Sequence, residues 1–190
     1  MDIMTATAER HTTNHRVTAP VVTTHETTTA KATRYTLAGL RLALGWTFLW
    51  AFVDKVFGLG FATPEKNAWI NGGSPTKGFL ANAATGPFEG FYQSIAGAAW
   101  ADWLFMIGLA AIGTALILGI GMRVAAVAGG LLLVMMWTAV LPPENNPFMD
   151  DHLINAAVLA LLALTAAGDT LGLGKAWARL PIVRRNTWLR

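Results

Sequence analysis

The stretch Leu37–Phe57, LAGLRLALGWTFLWAFVDKVF, decides the fold. It is apolar enough to enter a bilayer, yet it carries Arg41 near one end and Asp54 and Lys55 near the other. At 1.5 Å per residue, the dozen residues between Arg41 and Asp54 cover roughly 18 Å. That is short of the ~30 Å hydrocarbon core. A charge at the bilayer centre costs on the order of 2.5–3.5 kcal/mol on insertion scales, and less near the edges, where a long side chain can snorkel. These charges therefore either reach toward the membrane surface or face protein. The helix reads as the spine of a small membrane bundle, with Asp54 and Lys55 opening onto its site. On a helical wheel Arg41, Gly45, Phe48, Phe52 and Lys55 share one stripe, and Trp46, Trp50 and Asp54 another. The two adjacent charges thus diverge. A carboxylate cannot snorkel far, so Asp54 needs a partner, and Lys66, Lys77 or His152 is a better candidate than Lys55.

The bulk composition agrees with a membrane protein. Mean hydropathy is +0.45, and only 13% of the 190 residues are charged; both values depart from those of soluble domains. The absence of cysteine excludes a disulfide framework, a thiolate metal site and thiol chemistry carried by this chain. Residues 1–33 are polar and threonine-rich, without apolar periodicity, and read as a disordered tail. The three histidines there, His11, His15 and His25, fit no ligand spacing. The opening segment lacks the apolar core of a secretory signal, so the first span is expected to act as an uncleaved anchor.

Four spans are expected. The first, about 35–58, is stopped by Gly58, Gly60 and Pro64. The second runs from about Trp103 to Gly121, and its Ala111, Ala115 and Gly119 form a small-xxx-small ridge suited to close helix contact. Arg123 marks a very short turn. The third runs from about 124 to 141, with Ala125 and Gly129 at the same spacing, and Pro142–Pro143 ends it. The fourth runs from about 152 to 167. The segment 60–100 is too long and too aromatic for a simple connector. It predicts one or two short interfacial helices joined at Gly72-Gly73-Ser74-Pro75, with Ser74 or Thr76 capping the second. The expected fold class is an all-α integral membrane protein: a four-helix transmembrane bundle with a long extracytoplasmic loop. The basic segment 175–190 is expected to lie along the cytoplasmic surface, against anionic lipid. Most Lys and Arg fall in the two terminal segments and the Arg123 turn, which predicts that both termini are cytoplasmic.

Unusual residues gather at the other end. Asp54, Asp151 and His152 are the candidate proton-handling groups, and Lys55, Lys77, Trp69 and Trp50 the candidate binding groups, for a quinone headgroup or small anion at the membrane boundary. Other roles stay open for each. Asp150 and Asp151 suit a helix N-terminus, Lys55 can snorkel, Trp50 suits an interface belt, and Arg41 can be a plain cytoplasmic anchor. No CxxC, CxxCH or paired in-membrane histidines occur, so no metal or haem is expected. Nucleotide binding lacks its strand–turn–helix context. The basic segments suit lipid rather than nucleic acid.

The segments Arg41–Phe61, Trp69–Leu80 and Asn146–Leu159 (NPFMDDHLINAAVL) resemble the DoxX/DoxD family of small four-span bacterial membrane proteins. The similarity covers about 34–174 and omits both terminal segments. DoxD is a subunit of thiosulfate:quinone oxidoreductase, and the resemblance implies a quinone-linked redox subunit in the bacterial cytoplasmic membrane, working with a second oxidoreductase subunit or a soluble redox enzyme. It carries no catalytic residue assignment. Two other readings stay open: a non-catalytic scaffold anchoring redox or oxidative-stress enzymes, and a small-molecule or lipid-binding membrane protein. Self-association through the small-residue ridges is equally open.

Overall fold

The computed structural model describes residues 26–190; the expected disorder of the first 25 residues and their three histidines lie outside the described residues. Every regular element among the described residues is helical. Three helices are long and apolar enough to cross a membrane: α1 (Thr28–Phe57), α4 (Ala99–Leu118) and α5 (Met122–Ala139). Between α1 and α4 lie two short helices, α2 (Lys77–Asn82) and α3 (Glu89–Ile95), with three single 3₁₀ turns. A shorter apolar helix, α6 (Asp151–Leu164), follows α5 and is succeeded by the short α7 (Gly174–Trp177) and α8 (Pro181–Arg185).

α1 begins earlier than the apolar pattern indicates. Thr27 caps it, its hydroxyl accepting from the Ala30 N–H at 3.2 Å. The tail boundary expected at residue 33 is therefore corrected: residues 28–33 are helix. α1 packs along α4, α4 along α5 and α5 along α6, and α6 also touches α1. Gly45 lies against Leu116, and Gly113 against Leu49, so α1 and α4 run antiparallel. A Cβ at Gly113 would sit 2.7 Å from the Leu49 backbone nitrogen. Gly113, not the expected Ala111/Ala115/Gly119 ridge, thus lets the two backbones approach; Ala111 is exposed. On α5 the expected pair is in place. Ala125 is buried, and Gly129 fits against Leu159 and Ile112. The core between these helices is built from Leu44, Phe48, Met106, Ile112, Leu133 and Leu159. Apolar residues such as Leu104, Ile107, Val127, Leu131 and Leu164 point outward, as they do where the surroundings are lipid.

Arg41 is the principal departure from expectation. It is fully buried and is no plain surface anchor. Its guanidinium donates to the carbonyls of Leu116 and Ile117 at the end of α4, and to those of Thr170 (3.3 Å) and Leu171 (2.9 Å) beyond α6. The last four carbonyls of a helix lack intrahelical donors, and a cation suits the negative end of the helix dipole. Segment 175–190 is also not a free tail. Leu173 N–H donates to Leu118 O (2.8 Å), Trp177 Nε1–H to Leu189 O (2.7 Å) and Arg123 N–H to Arg190 O (2.9 Å), folding the segment back onto the α4–α5 turn.

Replacing Arg41 by Met leaves the Ile117, Thr170 and Leu171 carbonyls without that donor, while Leu116 keeps the Gly119 N–H at 3.2 Å, and we expect a loss of at least about 1.5–3 kcal/mol, read by thermal or denaturant unfolding in detergent. Arg41→Lys retains charge but not the planar fork and should fall between the two. Unchanged stability of Arg41→Met would show that the carbonyls find other donors.

Candidate functional site

At the loop end, where α1 finishes and α6 begins, the carboxylates are engaged one by one. Asp54 is almost wholly buried. Its two oxygens accept from the backbone N–H groups of Phe61 (3.3 Å) and Ala62 (3.1 Å), and its own carbonyl accepts from Gly58 N–H at 2.7 Å. Gly58, in the left-handed conformation at φ +65, ends the helix. The chain folds over at once and returns two donors to the side chain. The partner expected from Lys66, Lys77 or His152 is thus supplied by backbone, and no ion pair joins Asp54 to another candidate residue among the described residues. Lys55 diverges from Asp54 as the wheel indicates. It is half-buried, with Nζ 6.0 Å from the centroid of the Phe105 ring, at the limit of a cation–π contact.

Asp102, on the first turn of α4, does a comparable job for the long connection. Its Oδ1 accepts from Ser74 Oγ (2.9 Å), Thr76 N–H (3.0 Å) and Thr76 Oγ1 (2.6 Å). Thr76 occupies the N-cap position of α2, but its hydroxyl goes to Asp102; Ser74 Oγ accepts the Lys77 N–H instead (3.2 Å). Trp69 stacks edge-on against Trp103 with centroids 4.7 Å apart, and Trp50 against Phe61 at 5.2 Å. Lys77 is exposed beside Gly97. Phe79, Leu80, Ala84 and Tyr92 join α2 and α3 into a small lobe. This lobe is tied to the end of α5, where the Tyr92 hydroxyl meets Met135 O (3.0 Å) and Thr138 Oγ1 (2.6 Å).

His152 retains chemistry. Asp150 is the N-cap of α6, one oxygen accepting the Leu153 N–H at 3.2 Å. Its other oxygen lies 2.7 Å from His152 Nδ1, and Asp151 Oδ1 lies 3.5 Å away. Both partners of the closer contact are mostly buried, whereas Asp151 is 84% exposed. A carboxylate on Nδ1 orients the ring and leaves Nε2 for a ligand; Nε2 makes no hydrogen bond among the described residues. The sequence places Asp151 among the proton-handling candidates, and the geometry puts Asp150 closer to the His152 ring. The signal was available: an N-cap carboxylate two positions before a histidine is within reach of its ring. Asp150, Asp151 and His152 bring three potential ligand atoms within 4.8 Å of one another. An acidic helix start of this kind assigns no metal by itself.

Met149 and Leu153, which flank the Asp150–His152 pair in the chain, line an apolar groove along α6 with Ile154, Ala157, Val158 and Leu161. It takes up about 430 Å³ and is wide open on its outer side. Of the seven candidate residues, the structure joins Asp151 and His152 directly. Asp54, Lys55, Trp50, Trp69 and Lys77 sit in separate contacts of the loop end. Comparison with known protein families, curated proteins and solved structures yields no match.

Asp102→Ala removes three acceptor contacts from the 74–76 turn. Limited proteolysis in detergent should then cut within residues 60–98 sooner than in the unaltered protein, with the spans left intact. An unchanged cutting rate would deny Asp102 its fastening role.

Proposed function

We propose that this protein is a membrane subunit of a quinone-linked oxidoreductase of the thiosulfate:quinone type. In this reading it spans the bacterial cytoplasmic membrane four times, α6 and its flanking turns making the fourth crossing, with both termini in the cytoplasm. The observation that carries the reading is the 2.7 Å contact between Asp150 and His152 at the head of α6, in a segment bordered by groove-lining apolar residues. Reduction of a quinone to a quinol takes up two protons with two electrons. A histidine oriented through Nδ1 offers Nε2 to a headgroup oxygen and exchanges the proton there, with Asp150 balancing the charge on the ring. The groove suits an isoprenoid tail. Lys55 and Lys77 draw an anionic reductant toward this end. The chain has no cysteine, so sulfur is handled without a thiol here or by a partner subunit. The resemblance of three ordered segments to DoxX/DoxD proteins supports the same reading. Asp54 drops out of the proton path, because both of its oxygens are held by backbone donors.

The test is thiosulfate-dependent reduction of a soluble quinone by the purified protein in detergent. The unaltered protein should turn over, and His152→Ala should slow it by roughly 10²–10⁴-fold, the usual worth of a general acid–base group. Asp54→Asn should lower thermal stability far more than turnover per folded molecule. Equal rates for His152→Ala and the unaltered protein would remove His152 from the mechanism. Absence of turnover in native membranes as well would favour the non-catalytic scaffold.

A further inference from the structure

We propose that the basic end of the molecule, opposite His152, seats an anionic phospholipid by its phosphate. A cavity of about 180 Å³ lies there between the α4–α5 turn, the turn after α6 and the folded-back C-terminal segment. It is smaller than a drug-sized site and suits a headgroup rather than a whole ligand. Arg123 and Arg190 line it. Each commits one guanidinium nitrogen to protein, Arg123 to Thr187 O at 3.1 Å and Arg190 to Asp169 at 3.0 Å. The remaining N–H groups of both forks are available, in the geometry that phosphate accepts. Asp169 is the one acidic side chain lining the cavity, and its pairing with Arg190 offsets its charge.

Two further observations choose a lipid over a free anion. Leu164, on the cavity wall, is 85% exposed. It sits at the end of α6, where an acyl chain descending from the headgroup would run. The cavity also lies at the ends of α4 and α5, two of the helices apolar enough to cross a membrane, so it falls at the depth of the phosphate layer. Around it, residues 174–190 carry Lys175, Arg179, Arg184, Arg185 and Arg190 and no acid, while Trp188 and Ile182 are exposed. A basic pocket beside membrane helices with an aromatic rim has the character of an acidic-lipid site.

The full-length protein in neutral detergent is titrated with phosphatidylglycerol, phosphatidylcholine or inorganic phosphate, and its thermal midpoint is followed. We expect a saturable rise with phosphatidylglycerol alone. Arg123→Gln/Arg190→Gln should need on the order of tenfold to thirtyfold more lipid for the same rise, whereas Arg184→Gln/Arg185→Gln, outside the cavity, should behave as the unaltered protein. An equal rise with phosphatidylcholine overturns the proposal, as does a rise with inorganic phosphate alone, which would make the site one for a free anion. Loss of the rise only in the Arg184/Arg185 variant overturns it in favour of diffuse attraction. Should Arg123→Gln/Arg190→Gln fail to fold, native mass spectrometry of the unaltered protein decides. One retained phosphatidylglycerol that phosphatidylcholine does not displace supports the site, and equal retention of the two refutes it.

Discussion

A buried cation without a carboxylate partner organises this molecule. The Arg41 side chain is completely enclosed and meets no acid among the described residues. It is held by backbone carbonyls from two places distant in the chain, the end of α4 and the turn at Thr170–Leu171. Each party alone is costly: a charge out of water, and helix-terminal carbonyls without donors. Together they offset one another. The fork spans both places at once, which one ammonium could not. Two glycines share these close quarters. A Cβ at Gly119 would lie 2.8 Å, and one at Gly172 2.5 Å, from the Gly168 carbonyl oxygen, with a guanidinium nitrogen at 3.1 Å from each. The buried Nε makes no bond, so the terminal nitrogens carry the whole interaction.

The loop end follows the same logic with the signs exchanged. There the buried groups are carboxylates, and the chain supplies N–H and hydroxyl donors to them. Asp54 closes the turn after α1, and Asp102 fastens the 74–76 turn. Asp150 starts α6. Structural duty therefore absorbs most of the charge that looks functional in a linear reading. What stands out afterwards is His152, because its acidic partner occupies one ring nitrogen and leaves the other. Of the seven candidates His152 is retained, with Asp150, which was not among them, as its partner.

Some of this was legible in the sequence. The three long apolar runs, the abrupt turn near Arg123, the stop at Gly58 and the short helices around Gly72–Pro75 all rest on local signals. So does the divergence of Asp54 and Lys55, which is helical geometry alone. The partners of Arg41 were not legible, because backbone carbonyls have no sequence signature and these lie 75 to 130 positions away. The ridge on α4 was misread for a different reason. Core-facing and lipid-facing positions are both apolar, so periodicity cannot say whether Ala111 or Gly113 faces α1. The fold-back of residues 175–190 also depends on carbonyl acceptors, at Leu118 and Leu189, and its basic composition suggested only a surface strip.

The shortness of α6 explains why Arg41 is needed. Its 14 residues rise only about 21 Å, less than the ~30 Å of hydrocarbon. The chain leaves the helix early and continues as an irregular turn, with Ala166 and Leu171 at positive φ, a conformation that side chains disfavour. Irregular backbone beside hydrocarbon has to find its hydrogen-bond partners within the protein. α1, with 30 residues, extends past the end of α4 and packs against the 167–169 turn. From its middle Arg41 delivers the donors that the carbonyls of 170 and 171 lack. A longer α6 would carry those carbonyls in its own hydrogen-bond ladder, and an arginine at position 41 would then keep only the Leu116 and Ile117 carbonyls of α4. The charge in α1 and the break after α6 are two halves of one solution.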